Sequence, residues 1–233
     1  MRILLVLVIS LVLGSCSSQV KESKIEQQRN SSGATSTVKK RVKPEFNGQY
    51  YFVQGEDGPV IVVNKKYPLS ADFAPGEDPI AGVAFEDLIK DMESKGFQVS
   101  HDYSGYRSYG QQKTLYEAYV ARDGQEAADR YSARPGYSEH QTGLTFDVKD
   151  VSGQLLEEKE ASQWLLDHAA EYGFVVRYPK GKEEVTGYMP ESWHLRYIGR
   201  EAQQISSKGL TLEEYYGFEG GDYADERIFE KEK

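Results

Sequence analysis

The chain has 233 residues, but it holds a single cysteine, Cys16, and only four histidines. One cysteine excludes an intrachain disulfide and every zinc site built from cysteine pairs. A metal centre in this chain must therefore use His, Asp and Glu. Positive charge is also short: 28 Lys+Arg stand against 37 Asp+Glu, a formal net charge of -9. A general nucleic-acid binder needs a basic face, so no nucleic-acid partner is expected. The apolar run at residues 3–13, ILLVLVISLVL, falls well short of the ~20 residues that span a bilayer. What is present suffices for a core: 39% hydrophobic residues, 12% aromatics and 17 tyrosines exclude global disorder.

The front of the chain reads as an address. Met1 and Arg2 precede the apolar run and small residues follow it, the order of a secretory signal. Leu13-Gly14-Ser15-Cys16 resembles the lipobox of bacterial lipoproteins, in which the cysteine is acylated on sulfur and becomes the mature N-terminus. The resemblance implies a signal peptide at 1–15, lipidation at Cys16, and a lipid anchor that holds the protein on the extracellular face of the cytoplasmic membrane. An ordinary signal peptide with a stray cysteine is the plainer alternative. Residues 16–45 are rich in Ser, Lys, Gln and Thr and poor in large apolar residues, so a flexible tether is expected. Residues 17–45 hold 7 basic and 3 acidic side chains, whereas 46–233 hold 20 basic and 34 acidic. The expected domain, 46–233, is thus strongly acidic, and its last residues form an acidic tail.

Periodicity in that domain is mixed. Short β-rich runs stand at 50–53 and 60–63, separated by Gly and Pro. Helical spacing marks 80–94, with Phe85, Leu88, Ile89 and Met92 on one face, then 109–121, 125–131 and 160–172. Strands are expected at 97–101, 144–148, 174–177 and 193–198, and closing helices at 202–207 and 212–216. The irregular strand spacing argues against repeated βαβ units. The fold class expected is α+β, a small, mainly antiparallel sheet flanked by helices.

Three polar clusters fall at element ends: Ser104 to Ser108, Ser132 to Asp147, and Pro190 to His194. His140 lies on a Gly-rich loop, Asp147 on the strand after it, and His194 enters another strand. Two imidazoles and one carboxylate are a common ligand set for catalytic Zn²⁺. Glu191, three residues before His194, could take a proton from a water at such a metal. Arg107 could pair with a substrate carboxylate or stabilise an oxyanion. The residue types also admit a plain structural account, in which His140 caps a turn, His194 packs beside Trp193 and Asp147 pairs with a base. His168, on an apolar stripe, is expected at the core or its boundary. His101 is expected in a structural place or at a pocket rim; Glu139 could steer His140, but the simpler expectation is that it faces water.

The motifs narrow these alternatives. SGYRS, SEHQTGLTFD and ESWHLRYIG resemble the three signatures of the VanY/LdcB (DacB-like) group of zinc D-Ala carboxypeptidases, within the LAS metallopeptidase superfamily. The superfamily pattern, Ser-x-His, a later Asp, then Glu-x-x-His, is met by Ser138, His140, Asp147, Glu191 and His194. The likeness extends from about residue 50 to 217. It implies one zinc ion per chain on His140, Asp147 and His194, with Glu191 as general base and then acid. It implies Arg107 on the substrate's terminal carboxylate or scissile carbonyl, and Gln112, Ser132, Ser138 and Trp193 around a terminal D-Ala. Thr145 stands where many relatives carry Ala. The implied substrate is the peptidoglycan stem peptide, cut as an L,D-carboxypeptidase on tetrapeptides or, second, as a D,D-carboxypeptidase on pentapeptides. An endopeptidase, or a non-catalytic wall-binding lipoprotein on the same fold, are the remaining readings.

Overall fold

The computed structural model describes residues 41–223. The apolar run, Cys16 and most of the basic stretch lie outside the described residues. The N-terminal part is a three-stranded antiparallel sheet of β1 (Glu45–Phe46), β2 (Tyr51–Gly55) and β3 (Gly58–Val62). Gly58 closes the β2–β3 hairpin at φ 128°, a backbone conformation that favours glycine. The fold starts earlier than residue 46: Glu45 pairs with Phe52, and the Val42 amide donates to the Gly217 carbonyl at 2.8 Å. Residues 42–45, expected in the tether, belong to the folded part, held by the backbone pairings of Val42 and Glu45.

Helix α1 (Pro79–Ser94) starts where chemistry says it should. Asp78 caps it by accepting from the amides of Ile80 and Ala81, and Pro79 spends no needed N–H in the first turn. Ala81, Phe85, Leu88, Ile89 and Met92 form its buried face. Helix α2 (Tyr109–Asp123) opens with a reciprocal capping box between Ser108 and Gln111, and α3 (Gln125–Tyr131) follows across Gly124. A short 3-10 turn, Glu139–Thr142, leads through Gly143 (φ 74°) into β4 (Thr145–Asp147). Then come α4 (Lys159–His168), β5 (Phe174–Tyr178), α5 (Glu183–Thr186), β6 (Glu191–Tyr197), α6 (Glu201–Ser207) and α7 (Leu212–Tyr216).

The second sheet has the order β4-β6-β5, all antiparallel, so β6 is central. The main core lies between this sheet and α1, where Phe85 stacks on Phe146 at 4.9 Å beside Phe174 and Leu195. A second core, with Val53, Val62, Val175, Ile205 and Phe218, joins the N-terminal sheet to α6 and α7. The α+β class with small antiparallel sheets is what the structure has.

Three local expectations change. Residues 97–101 form no strand; Val99 makes one isolated bridge with Asp150, too little for a ladder. Helix 160–172 stops being α-helical at His168 and tightens into a 3-10 turn, Ala169–Tyr172, before Gly173 takes the left-handed conformation. The short α5 carries no apolar periodicity of its own, and sequence reading passes over it.

Candidate active site

The central strand β6 sets the problem that the site must solve. Glu191 and His194 are three residues apart, and a regular pleat would send their side chains to opposite faces. Here the pairing with β5 is irregular: Val176 faces Leu195, yet Tyr178 faces Glu191. Two steps along β5, Val176 to Tyr178, are matched by four along β6, Leu195 to Glu191. The ladder is irregular at this point, and the Glu191 carboxylate reaches 3.3 Å from His194 Nδ1. Asp147 lies directly opposite His194 in the β4–β6 register and comes within 3.3 Å of the same nitrogen. His140, carried in from the 3-10 turn, places Nε2 at 3.2 Å from Asp147 Oδ2. The two imidazoles meet edge to face at 5.2 Å.

One donor atom each of His140, Asp147 and His194 lies within 4.8 Å of the others, and all three residues are buried. The hydrogen bonds dispose them for a metal. His140 Nδ1 is 2.8 Å from the Gly105 carbonyl, which leaves Nε2 with its lone pair turned inward. His194 Nε2 is 3.3 Å from Glu139 Oε2, which leaves Nδ1 turned inward. The nitrogen offered to a metal is set by the bond its partner nitrogen makes. Asp147 Oδ1 is buried with no hydrogen-bond partner, a costly state for a carboxylate oxygen unless a cation completes it. The two imidazole–carboxylate contacts, 3.2 and 3.3 Å, are near the ~3.3 Å edge of a tetrahedron with ~2.0 Å metal bonds, and all three donors lie within 4.8 Å of one another. The residues fit Zn²⁺.

The electrostatics agree. Burial alone would raise the Asp147 carboxyl, but His140 and His194 hold it well below the usual carboxylate range. Burial would lower His194, yet Asp147, Glu139 and Glu191 together raise it well above the ordinary imidazole value. His140 is lowered, chiefly by burial. Three carboxylates thus concentrate on one spot that favours positive charge. Glu191, by contrast, is raised by burial, which makes it the most readily protonated of the three.

A cavity of about 440 Å³ opens over this cluster. Every residue that the motifs implicate lines it: Arg107, Gln112, Ser132, Ser138, His140, Asp147, Glu191, Trp193 and His194. Arg107 Nη1 donates to Gln112 Oε1 at 2.7 Å, and Gln112 Nε2 donates to the Ala133 carbonyl at 2.6 Å and toward Ser132 Oγ at 3.4 Å. The Arg107 amide donates to the His140 carbonyl at 3.2 Å, which ties the cationic wall to a metal-facing residue. Burial lowers the Arg107 guanidinium somewhat, against the pull of Asp147 and Glu191.

One expectation is corrected. Glu139 does not face water. It is 2% exposed and sits between Arg177, Arg196 and His194. An acid beside a metal-facing histidine, and arginines placed inside apolar strands, were the available hints. His168 is a boundary residue, stacked on Trp164 at 4.9 Å and bonded to Glu171. His101 is exposed and pairs with Glu93. Thr145 is fully buried and its hydroxyl has no hydrogen-bond partner, which nothing else in the structure explains. The motifs passed over Lys149, Leu155, Tyr178, Tyr188 and Met189, which also line the cavity.

Comparison with known proteins decides the family. The family model described as VanY, D-alanyl-D-alanine carboxypeptidase, matches residues 77–200. The chain belongs to that family. Among solved structures, it is similar to the L,D-carboxypeptidase DacB of Streptococcus pneumoniae, with 60% identity and a TM-score of 0.77 over 79% of this chain and 100% of that one. It is equally similar to the LdcB LD-carboxypeptidase, a structure described as revealing the basis of peptidoglycan recognition, at 60% identity and a TM-score of 0.77 over 79% and 99% of the two chains. A vancomycin-resistance D,D-pentapeptidase VanY in complex with Zn(II) is more distant, at 33% identity and a TM-score of 0.59 over 66% and 97%.

Proposed function

We propose that this VanY-family chain is a zinc-dependent L,D-carboxypeptidase that removes the terminal D-Ala from peptidoglycan tetrapeptide stems. One observation carries the reading: two metal-facing imidazoles and a carboxylate share the floor of a cavity with a buried glutamate and a half-buried arginine. The L,D preference is supported by the 60% identity to L,D-carboxypeptidases, against 33% to a D,D-enzyme.

His140, Asp147 and His194 would hold one Zn²⁺, which when bound supplies Lewis acidity and lowers the pKa of a water. Glu191 lies beside that position. Its carboxylate removes a proton from the attacking water and then delivers it to the amine of the departing D-Ala. Arg107, held by Gln112, pairs with the free carboxylate of the terminal D-Ala, and Ser132, Ser138 and Trp193 close the space around it. Tyr178, packed on the His194 ring at 4.7 Å, keeps that side of the site dry.

The address belongs to the same proposal. Lipidation at Cys16 would anchor the enzyme to the membrane on its extracellular face, and the basic stretch would keep the catalytic part near the wall. Cys16→Ala should abolish metabolic labelling with a fatty acid and release the protein to the medium; unchanged labelling would exclude the anchor. The reaction itself is tested with purified tetrapeptide and pentapeptide stems. D-Ala release from the tetrapeptide is expected, and release from the pentapeptide alone would overturn the L,D assignment.

A further inference from the structure

Behind the His194 ring lies a cluster of charge that the reaction itself does not use. Glu139, Arg177, Arg196 and Glu213 are each no more than 3% exposed. Two acids and two bases cancel, which is the only way such a group can be buried without prohibitive cost. Their bonds form one connected chain. Glu139 Oε1 accepts from Arg177 Nε at 2.8 Å and from Arg196 Nη1 at 3.0 Å. Arg177 also grips Glu213 with both terminal nitrogens, at 2.9 and 2.6 Å. Glu213 in turn accepts from Asn64 Nδ2 at 3.1 Å, and Arg196 Nη2 donates to the Ile61 carbonyl at 2.9 Å.

Among the described residues, one side-chain bond joins this cluster to the cavity floor, from His194 Nε2 to Glu139 Oε2. That bond decides which nitrogen of His194 faces Asp147. We propose that Glu139 is a positioning residue for the metal site, and that Arg177, Arg196 and Glu213 fix its carboxylate so that α7 and the N-terminal sheet tune zinc affinity from a distance. The inference rests on the zinc reading above. A purely structural cluster would lower stability when broken and leave the folded protein's zinc affinity alone.

The chemistry of a conservative change makes the distinction. In Glu139→Gln the side chain has one acceptor oxygen and one donor nitrogen. If the oxygen faces His194, the amide meets two guanidinium groups; if it faces the arginines, the amide meets the His194 N–H. Either way one contact is lost. Zinc affinity of the purified protein is measured by competition with a chromophoric chelator, and the ligand field by the absorption spectrum of the Co²⁺-substituted protein. Glu139→Gln should bind zinc about 10–100-fold more weakly, with an altered Co²⁺ spectrum. Glu213→Gln, which touches no metal-facing residue, should weaken binding in the same direction by a smaller factor, and it decides the matter if Glu139→Gln does not fold. Leu88→Ala, a loss of α1 core packing outside the cluster, should melt earlier yet bind zinc as the wild type does. Wild-type affinity and spectrum in both glutamate variants would overturn the proposal. A wild-type protein that holds no zinc would instead overturn the reading on which it rests.

Discussion

Arg107 offers the sharpest test of how the cavity recognises its substrate. The guanidinium is half-buried and oriented by Gln112, itself 1% exposed and tied to the Ala133 carbonyl. Such a group can read a free C-terminal carboxylate through a planar fork, or it can stabilise charge on the scissile carbonyl. Arg107→Lys keeps the charge and loses the fork. A hydrogen bond to a charged group contributes about 1.5–3 kcal/mol, so kcat/KM should fall about 10–150-fold. Arg107→Met removes the charge as well and leaves the substrate carboxylate buried without a partner. That costs about 2–5 kcal/mol, or about 30–5,000-fold. The variant also strips Gln112 Oε1 of its donor, so a modest loss of thermal stability is expected in the free protein. The assay compares the tetrapeptide with the same peptide ending in a D-Ala amide. Wild-type enzyme should prefer the acid strongly, and Arg107→Met should lose most of that preference by slowing on the acid alone. Equal slowing on acid and amide would refute carboxylate recognition and assign Arg107 to the developing oxyanion.

Other consequences can be checked together. Glu191→Gln should lower turnover about 100–10,000-fold with zinc content unchanged, since an amide cannot carry the proton; loss of the metal instead would make Glu191 a ligand. Removing zinc with a chelator should abolish activity and lower the melting temperature, and zinc at 100 times its Kd should restore about 2.7 kcal/mol. Glu214 closes the capping box of α7 with Thr211 and pairs with Lys182 at 2.7 Å, so Glu214→Ala should cost about 1 kcal/mol in a denaturant titration at neutral pH. Although burial alone would raise it, the Glu214 carboxyl is held below its ordinary value, mainly by its hydrogen bond to Lys182 and by the Thr211 amide. Its contribution is therefore complete above the ordinary glutamate pKa and disappears as pH falls through the depressed folded value. The gap between wild type and variant should accordingly close in acid.

Much of the site was legible because its parts sit in short, punctuated stretches. Ser108 with Gln111, Asp78 with Pro79, and Gly173 mark element ends by local chemistry that needs no partner elsewhere. The three polar clusters lie at such ends, and all nine residues taken from them or beside them line one cavity. Legibility failed where the deciding partner was distant. Glu139 reads as a surface acid until Arg196, 57 positions on, closes over it. Residues 97–101 alternate like a strand but find only one bridging neighbour, so the pattern has no ladder to join.

Ligand chemistry and family follow from the order of the amino acids alone. With one cysteine and four histidines, a metal site had to come from His and carboxylate, and motif order named the group. Helix positions also followed from it, because caps and apolar periods act within a few residues. Packing of distant segments is what brings Glu191 and His194, three apart on a strand, to face one point. They do so where the β5–β6 ladder is irregular, between Val176 and Tyr178, a feature that exists only once the two strands are paired. Packing also decided which nitrogen each imidazole offers, since that depends on the Gly105 carbonyl and the Glu139 carboxylate brought in from other segments. Donor types are a property of the residues, whereas their direction is a property of the packing around them.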